Sequence, residues 1–219
     1  MEIDLSRPIL ARNDALAAGN RARLAAAGVF ALDTLASPGA GKTTTILATI
    51  DALRERYRIA VIEGDIASRV DADRVKAHGT PAVQINTGGA CHLEADMISR
   101  ALDALALDGL DLVIIENVGN LVCPTEFDLG QDARVVILSV PEGDDKPLKY
   151  PGAFAKAEAV LLNKVDTIGF FDFDDEAFVD YVRRLNGHAP IFRMSAKTGE
   201  GVAEWAEWLA ARIEASRTL

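Results

Sequence analysis

Cysteine is almost missing from this sequence: its 219 residues contain two, Cys91 and Cys123. Two thiols exclude a disulfide framework, and in a reducing compartment they leave packing, redox chemistry or metal binding as their uses. Basic residues are also scarce, with 23 Lys and Arg against 33 Asp and Glu and a formal net charge of −10. A nucleic-acid backbone or an anionic membrane needs a basic face, so neither is expected as the main partner. No apolar run approaches the roughly 20 residues that cross a bilayer. Met1–Leu10 lacks the basic-then-apolar order of a signal peptide, which makes a cytoplasmic protein the expectation. Linkers, internal repeats and low-complexity tracts are absent as well. One domain is therefore expected over 28–219, preceded by an N-terminal helical extension over 1–27 that is rich in Ala and Arg.

What the sequence does have is apolar residues, at 49%, and a regular alternation of short β-rich runs with longer helical ones. The strand-like runs are Val29–Leu35, Ile59–Glu63, Ala82–Asn86, Leu112–Glu116, Val135–Val140, Ala159–Leu162 and Ile191–Met194. Several are continuously apolar, Leu112-Val113-Ile114-Ile115 among them, as strands buried on both faces should be. Helices are expected over Lys42–Glu55, Asp71–His78, His92–Ala106, Glu176–Asn186 and Gly201–Ala215. The pattern predicts an α/β fold, a mostly parallel twisted sheet with helices on both faces. Such sheets bind ligands beyond the carboxyl ends of their strands.

The first strand leads into Ala36-Ser37-Pro38-Gly39-Ala40-Gly41-Lys42-Thr43-Thr44, the pattern of a P-loop. Small residues there let backbone N–H groups wrap phosphates, Lys42 reaches the β/γ oxygens, and Thr43 supplies an oxygen to Mg²⁺. The helix that follows points its positive end at the same anion. Ala36 stands where the motif usually has its first glycine, which alanine can fill if φ stays negative.

Asn163-Lys164-Val165-Asp166 follows a later strand, and Ser195-Ala196-Lys197 ends the last one. Asp166 is placed to accept from guanine N1–H and its exocyclic amine. Adenine would leave that carboxylate unpaired and facing an acceptor. Lys164 would lie along the base, and a backbone N–H near Ala196 would meet guanine O6. Four residues alone would equally suit a polar turn, but the order of all three elements points to guanine, so a P-loop GTPase is expected.

Acidic residues end two further strands. Asp65, in Ile62-Glu63-Gly64-Asp65, is the candidate for coordinating Mg²⁺ and orienting the attacking water. Glu116, in Glu116-Asn117-Val118-Gly119, takes the Walker B position, and Gly119 could sense the γ-phosphate through its N–H. Asp71 and Asp73 suit a solvated helix start equally well.

Cys91 and His92 follow the third strand, and Cys123 follows Glu116 in Gly119-Asn120-Leu121-Val122-Cys123-Pro124. Two thiolates and an imidazole suit Zn²⁺ or Ni²⁺ rather than Mg²⁺ and leave a coordination position open. Spacing alone does not separate this from packing cysteines and a helix-capping His92. Their place does favour a metal, because both cysteines fall on loops of the nucleotide edge and Cys123 rides the segment that begins at Glu116.

These segments, with Lys146-Pro147-Leu148-Lys149-Tyr150-Pro151, resemble the HypB family, GTPases that assist nickel insertion into [NiFe] hydrogenase. The resemblance runs from the P-loop to the C-terminal helix, and Cys91-His92-Leu93 and Asn120-Leu121-Val122-Cys123-Pro124 are its most specific parts. It implies Cys91, His92 and Cys123 as metal ligands, a homodimer with the metal at the subunit interface, and slow GTP hydrolysis. It further implies a HypA-type nickel chaperone and a hydrogenase large-subunit precursor as partners. Lys149 could meet nucleotide or the dimer mate, against a solvated loop lysine. Met1–Ala27 has neither the cysteine-rich nor the histidine-rich segment that some members carry, so a second nickel store is not expected. Two other functions stay open: a urease-type nickel GTPase, whose metal motif is typically Cys-Pro-His, and a regulatory GTPase with redox-active cysteines.

Overall fold

The computed structural model describes residues 6–65 and 70–218. The start of the expected extension, Met1–Leu5, lies outside the described residues. In chain order the elements are α1 (Ser6–Ala26), β1 (Phe30–Ala36), α2 (Lys42–Leu53), β2 (Ile59–Asp65), α3 (Val70–Ala77), β3 (Ala82–Asn86), α4 (Ala95–Ala104) and β4 (Leu112–Glu116). They continue with β5 (Ala133–Ser139), α5 (Lys146–Lys149), α6 (Pro151–Ala155), β6 (Ala159–Asn163), α7 (Asp175–Leu185), β7 (Ile191–Arg193) and α8 (Val202–Ser216).

The strands form one sheet in the order β3-β2-β4-β1-β5-β6-β7, with every ladder parallel. Inner strands β1, β4, β5 and β6 are buried along their whole length, which is why their sequences are dominated by apolar residues, with Asp33 in β1 and Arg134 in β5 as charged interruptions. Alternate residues of β1 serve opposite faces. Phe30, Leu32 and Ala36 join Ile46, Ile50, Trp205 and Leu209 beneath α2 and α8. Trp205 Nε1 also donates to Thr49 Oγ1 at 2.9 Å, locking those two helices together.

The opposite face carries two separate apolar clusters. One packs Leu24, Ala31, Ile98 and Leu129 under α1 and α4; the other packs Leu35, Leu121, Phe154 and Phe178 under α6 and α7. Leu121 and Leu129 anchor the segment between β4 and β5 in different clusters, so that segment crosses the seam between them.

Helix α1 is held by two buried asparagines as well as by Ala17 and Leu24. Asn13 donates to Asp128 O at 2.7 Å and accepts from Ala95 N at 2.8 Å. Asn20 donates to Ala95 O and Leu129 O.

Two local expectations need correction. The expected helix from His92 begins instead at Ala95, because Asn117 Oδ1 takes the Leu93 N–H and Glu94 is extended, at φ −117° and ψ 158°. Lys149, expected as a solvated loop lysine if it met no nucleotide or dimer mate, instead ends the helix α5, and Pro151 opens α6, each helix having a proline in its first turn. Helices of four and five residues are too short to show a 3.6-residue period.

Candidate functional site

At the carboxyl end of the sheet a cavity of about 580 Å³ is lined by P-loop residues Pro38, Gly39, Gly41, Lys42, Thr43 and Thr44 together with Glu63, Asp65, Asp71, Glu116 and Gly119. Helix α2 opens on Gly41 without a side-chain cap, so its first N–H groups are left for an anion. Gly41 is required twice over: its φ is +93°, and a Cβ there would stand 2.6 Å from Asn163 Nδ2. Lysine 164 is the one non-glycine residue with positive φ among those described, so Ala36 keeps the negative φ that lets it stand in for glycine. Gly119 lies against the P-loop, where a Cβ would come within 3.1 Å of the Pro38 ring.

Behind the P-loop sits a carboxylate group that the sequence only half revealed. Thr43 Oγ1 donates to Glu116 Oε1 at 3.0 Å, and Lys42 Nζ lies 3.9 Å from the same oxygen. Glu63, two residues before Asp65, is the direct register partner of Glu116 across β2 and β4. Carboxylate oxygens of Glu63, Asp71 and Glu116 all lie within 4.8 Å of one another. Burial, then repulsion from Glu116, pushes the Glu63 pKa up to about 11, and burial raises that of Glu116 too. One oxygen of each, Glu63 Oε2 and Glu116 Oε2, is buried without a hydrogen-bond partner. Orphaned acceptors facing a phosphate cradle fit a hydrated divalent cation such as Mg²⁺. Asp65 and Arg74 line the same cavity, and Arg74 pairs with Asp71 at 3.3 Å. Only a knowledge of which strands are neighbours could have singled out Glu63.

At the base end, Asn163 proves to join motifs. Its Nδ2 donates to Ala40 O and its Oδ1 accepts from Ala196 N, both at 3.0 Å, so the P-loop, the Asn163–Asp166 turn and the Ser195–Lys197 turn are one assembly. Lys164, at φ 61° and ψ 36°, lays its side chain over the P-loop and donates to Gly39 O at 2.7 Å. Asp166 and Lys197 are exposed, Ala196 is half-buried and Ser195 is fully buried. Lys149 is exposed on α5 and paired with Asp145 at 2.5 Å.

The third constellation also closes in space. Ligand atoms of Cys91, His92 and Cys123 lie within 4.8 Å of one another, with Cys91 Sγ 3.8 Å from His92 Nδ1. Cys91 is on the surface and Cys123 is half-buried. The His92 ring stacks on Phe127 with centroids 3.9 Å apart, and its Nε2 faces Glu94 Oε1 at 3.5 Å. A hydrogen bond that the Cys91 thiol donates to the neighbouring Cys123 sulfur, then burial, raises the Cys91 pKa. Asn120 Nδ2 donates to Cys91 O at 3.2 Å, tying together the loops that carry Cys91 and Cys123. Two thiols and an imidazole at this spacing fit a borderline-soft ion with room for an outside ligand.

Known proteins resemble this chain over most of its length. The CobW/HypB/UreG nucleotide-binding domain matches residues 35–193. The hydrogenase maturation factor HypB of Azotobacter chroococcum mcd 1 is 50% identical over 225 residues, covering 98% of this chain and 73% of that protein. A crystal structure of HypB from Helicobacter pylori in complex with nickel superposes with a TM-score of 0.90 at 41% identity, covering 94% of this chain and 97% of that one. HypB from Archaeoglobus fulgidus gives 0.87 at 39% identity, covering 93% of this chain and 100% of that one.

Proposed function

The chain belongs to the CobW/HypB/UreG family, in its HypB group, and from that premise we propose that it is a GTP-hydrolysing metallochaperone that handles nickel during [NiFe] hydrogenase maturation. The observation that carries this reading is the convergence of Cys91, His92 and Cys123 within 4.8 Å, on loops that include the segment running on from Glu116.

In this reading the amides of 39–44 and the start of α2 hold the phosphates, with Lys42 on the β/γ oxygens. Thr43 and Asp65 would hold Mg²⁺, with Glu63 and Glu116 beside it. The ion supplies charge neutralisation at the phosphate oxygens. Asp65 and Glu116 orient the attacking water. Carboxylates are the strongest bases near the γ-phosphate, so turnover is slow without a partner. Asp166 selects guanine, Lys164 covers the base, and the Ser195–Lys197 turn offers the Lys197 N–H to O6, the N–H groups of Ser195 and Ala196 being taken by Glu200 O and Asn163 Oδ1. Nickel, or zinc, is cargo on Cys91, His92 and Cys123. Loss of the γ-phosphate frees Gly119 from its contact and re-sets Cys123, which lies on the same segment.

A homodimer with the metal near its interface, a HypA-type chaperone, the hydrogenase large-subunit precursor and a cytoplasmic site of action complete the proposal. The place of His92 beside both thiols, all three within 4.8 Å, favours a metal over a redox role for the cysteines. The urease-type reading is disfavoured by Cys91-His92 in place of Cys-Pro-His.

Metal stoichiometry and affinity, measured for nickel and zinc with a non-hydrolysable GTP analogue, with GDP and without nucleotide, test the reading. About one ion per dimer is expected, with affinity that changes between nucleotide states. Less than that in all three states, or one affinity throughout, would overturn it. Cys91→Ser and Cys123→Ser should each abolish the site while leaving GTP binding intact.

A further inference from the structure

Asp33 is a carboxylate in the middle of β1 with no exposure at all. It lies in the seam between the two apolar clusters, flanked on its own face by Ala31 and Leu35. Its Oδ2 accepts from Arg134 Nε at 2.7 Å, and its Oδ1 accepts from Asn117 Nδ2 at 3.1 Å. Arg134 is its register partner on β5, also buried. Against apolar side chains of the same volume, a buried ion pair of this kind adds little or no stability. The outward bonds of the cluster suggest what else it does.

Arg134 Nη2 donates to Phe127 O at 2.6 Å and Nη1 to Thr125 O at 3.4 Å, so the guanidinium holds the turn that follows Cys123. The ring of Phe127 is the surface on which His92 stacks. From the other side Asn117 Oδ1 accepts from Leu93 N at 3.3 Å, the amide next to His92. Asn117 itself directly follows Glu116. The cluster therefore touches both ligand-bearing loops and the residue beside the phosphate-site carboxylate, and it touches them from inside the core.

We infer that Asp33, Arg134 and Asn117 are positioning residues for the metal site: they hold Phe127 and the Leu93 amide so that His92 presents its ring toward Cys91 and Cys123. The inference rests on the metal reading proposed above. Partners outside the ligand shell commonly change metal affinity about 10–100-fold when removed.

The test replaces the ion pair with apolar side chains, Asp33→Leu with Arg134→Met, in the full chain. Thermal melting and GTP-analogue binding report the fold, and Zn²⁺ affinity by chelator competition and the visible spectrum of bound Co²⁺ report the site. The expected result is cooperative melting, GTP-analogue affinity within about twofold of wild type, a Zn²⁺ affinity lower by about 10–100-fold and displaced Co²⁺ bands. A folded double variant with wild-type Zn²⁺ affinity and Co²⁺ spectrum overturns the inference. If the double variant does not melt cooperatively, Phe127→Leu decides, since it leaves the ion pair in place. It should weaken Zn²⁺ about tenfold and alter the Co²⁺ bands, and wild-type values would refute the positioning role. Wild-type protein that takes up neither Zn²⁺ nor Co²⁺ would overturn the metallochaperone reading itself, a failure visible before any variant is made.

Discussion

Asp166 stands exposed two residues beyond Lys164, whose left-handed backbone is held by Thr167 Oγ1 donating to Lys164 O at 2.7 Å and by Val165 N donating to Met194 O at 3.2 Å. Strain of this kind costs about 1–3 kcal/mol and persists where surrounding bonds enforce it. Here the enforced turn sets the direction of the carboxylate. Asp166→Asn exchanges two acceptor oxygens for one acceptor and one donor, which faces guanine with a mismatch and xanthine with a match. GTP binding should weaken by about 2–3 kcal/mol, roughly 30- to 150-fold in Kd, while binding of xanthosine triphosphate improves. Competition titration with the two nucleotides checks this, and an unchanged preference for GTP would remove Asp166 from the base site. The Asn163-Lys164-Val165-Asp166 pattern was readable in the sequence because its chemistry lies within four consecutive residues.

Between elements, Asn163 has the largest structural consequence. It ends β6 and bonds to the carbonyl of Ala40 in the P-loop and the amide of Ala196 after β7. Ala40 and Asn163 are both buried, so water cannot replace these bonds. Asn163→Ala should lower stability by about 1–3 kcal/mol and weaken nucleotide binding as well, because it loosens both turns that frame the nucleotide. Urea unfolding and nucleotide titration together check this; wild-type values in both would show that the two turns hold themselves. The strands and long helices were legible from periodicity, whereas α5 and α6 were not, since short helices with proline in the first turn resemble loops.

At the scale of the whole molecule, Glu63 and Glu116 place a proton-dependent term in the nucleotide-free state. The Glu63 pKa rises from 4.5 to about 11 on folding, so the folded chain holds a proton that the unfolded chain releases. The stability this proton confers is complete below 4.5 and is lost as pH rises toward about 11. Protein free of nucleotide and Mg²⁺ should therefore melt at progressively lower temperature between pH 6 and pH 9. Glu63→Gln, neutral at every pH, should flatten that slope. Melting curves across the range check it, and parallel slopes for the two proteins would refute it.

The sequence by itself determined the parallel α/β sheet and the P-loop, because each is written in neighbouring residues or in a simple period. Tertiary structure alone decided which strands lie side by side. That brought Glu63 opposite Glu116 and Asp33 opposite Arg134, and it joined three nucleotide motifs through Asn163. It also moved His92 out of a helix and onto Phe127. The physical reason is the same in each case: strand order and register are set by how whole faces pack, and no local run of residues encodes its distant neighbour.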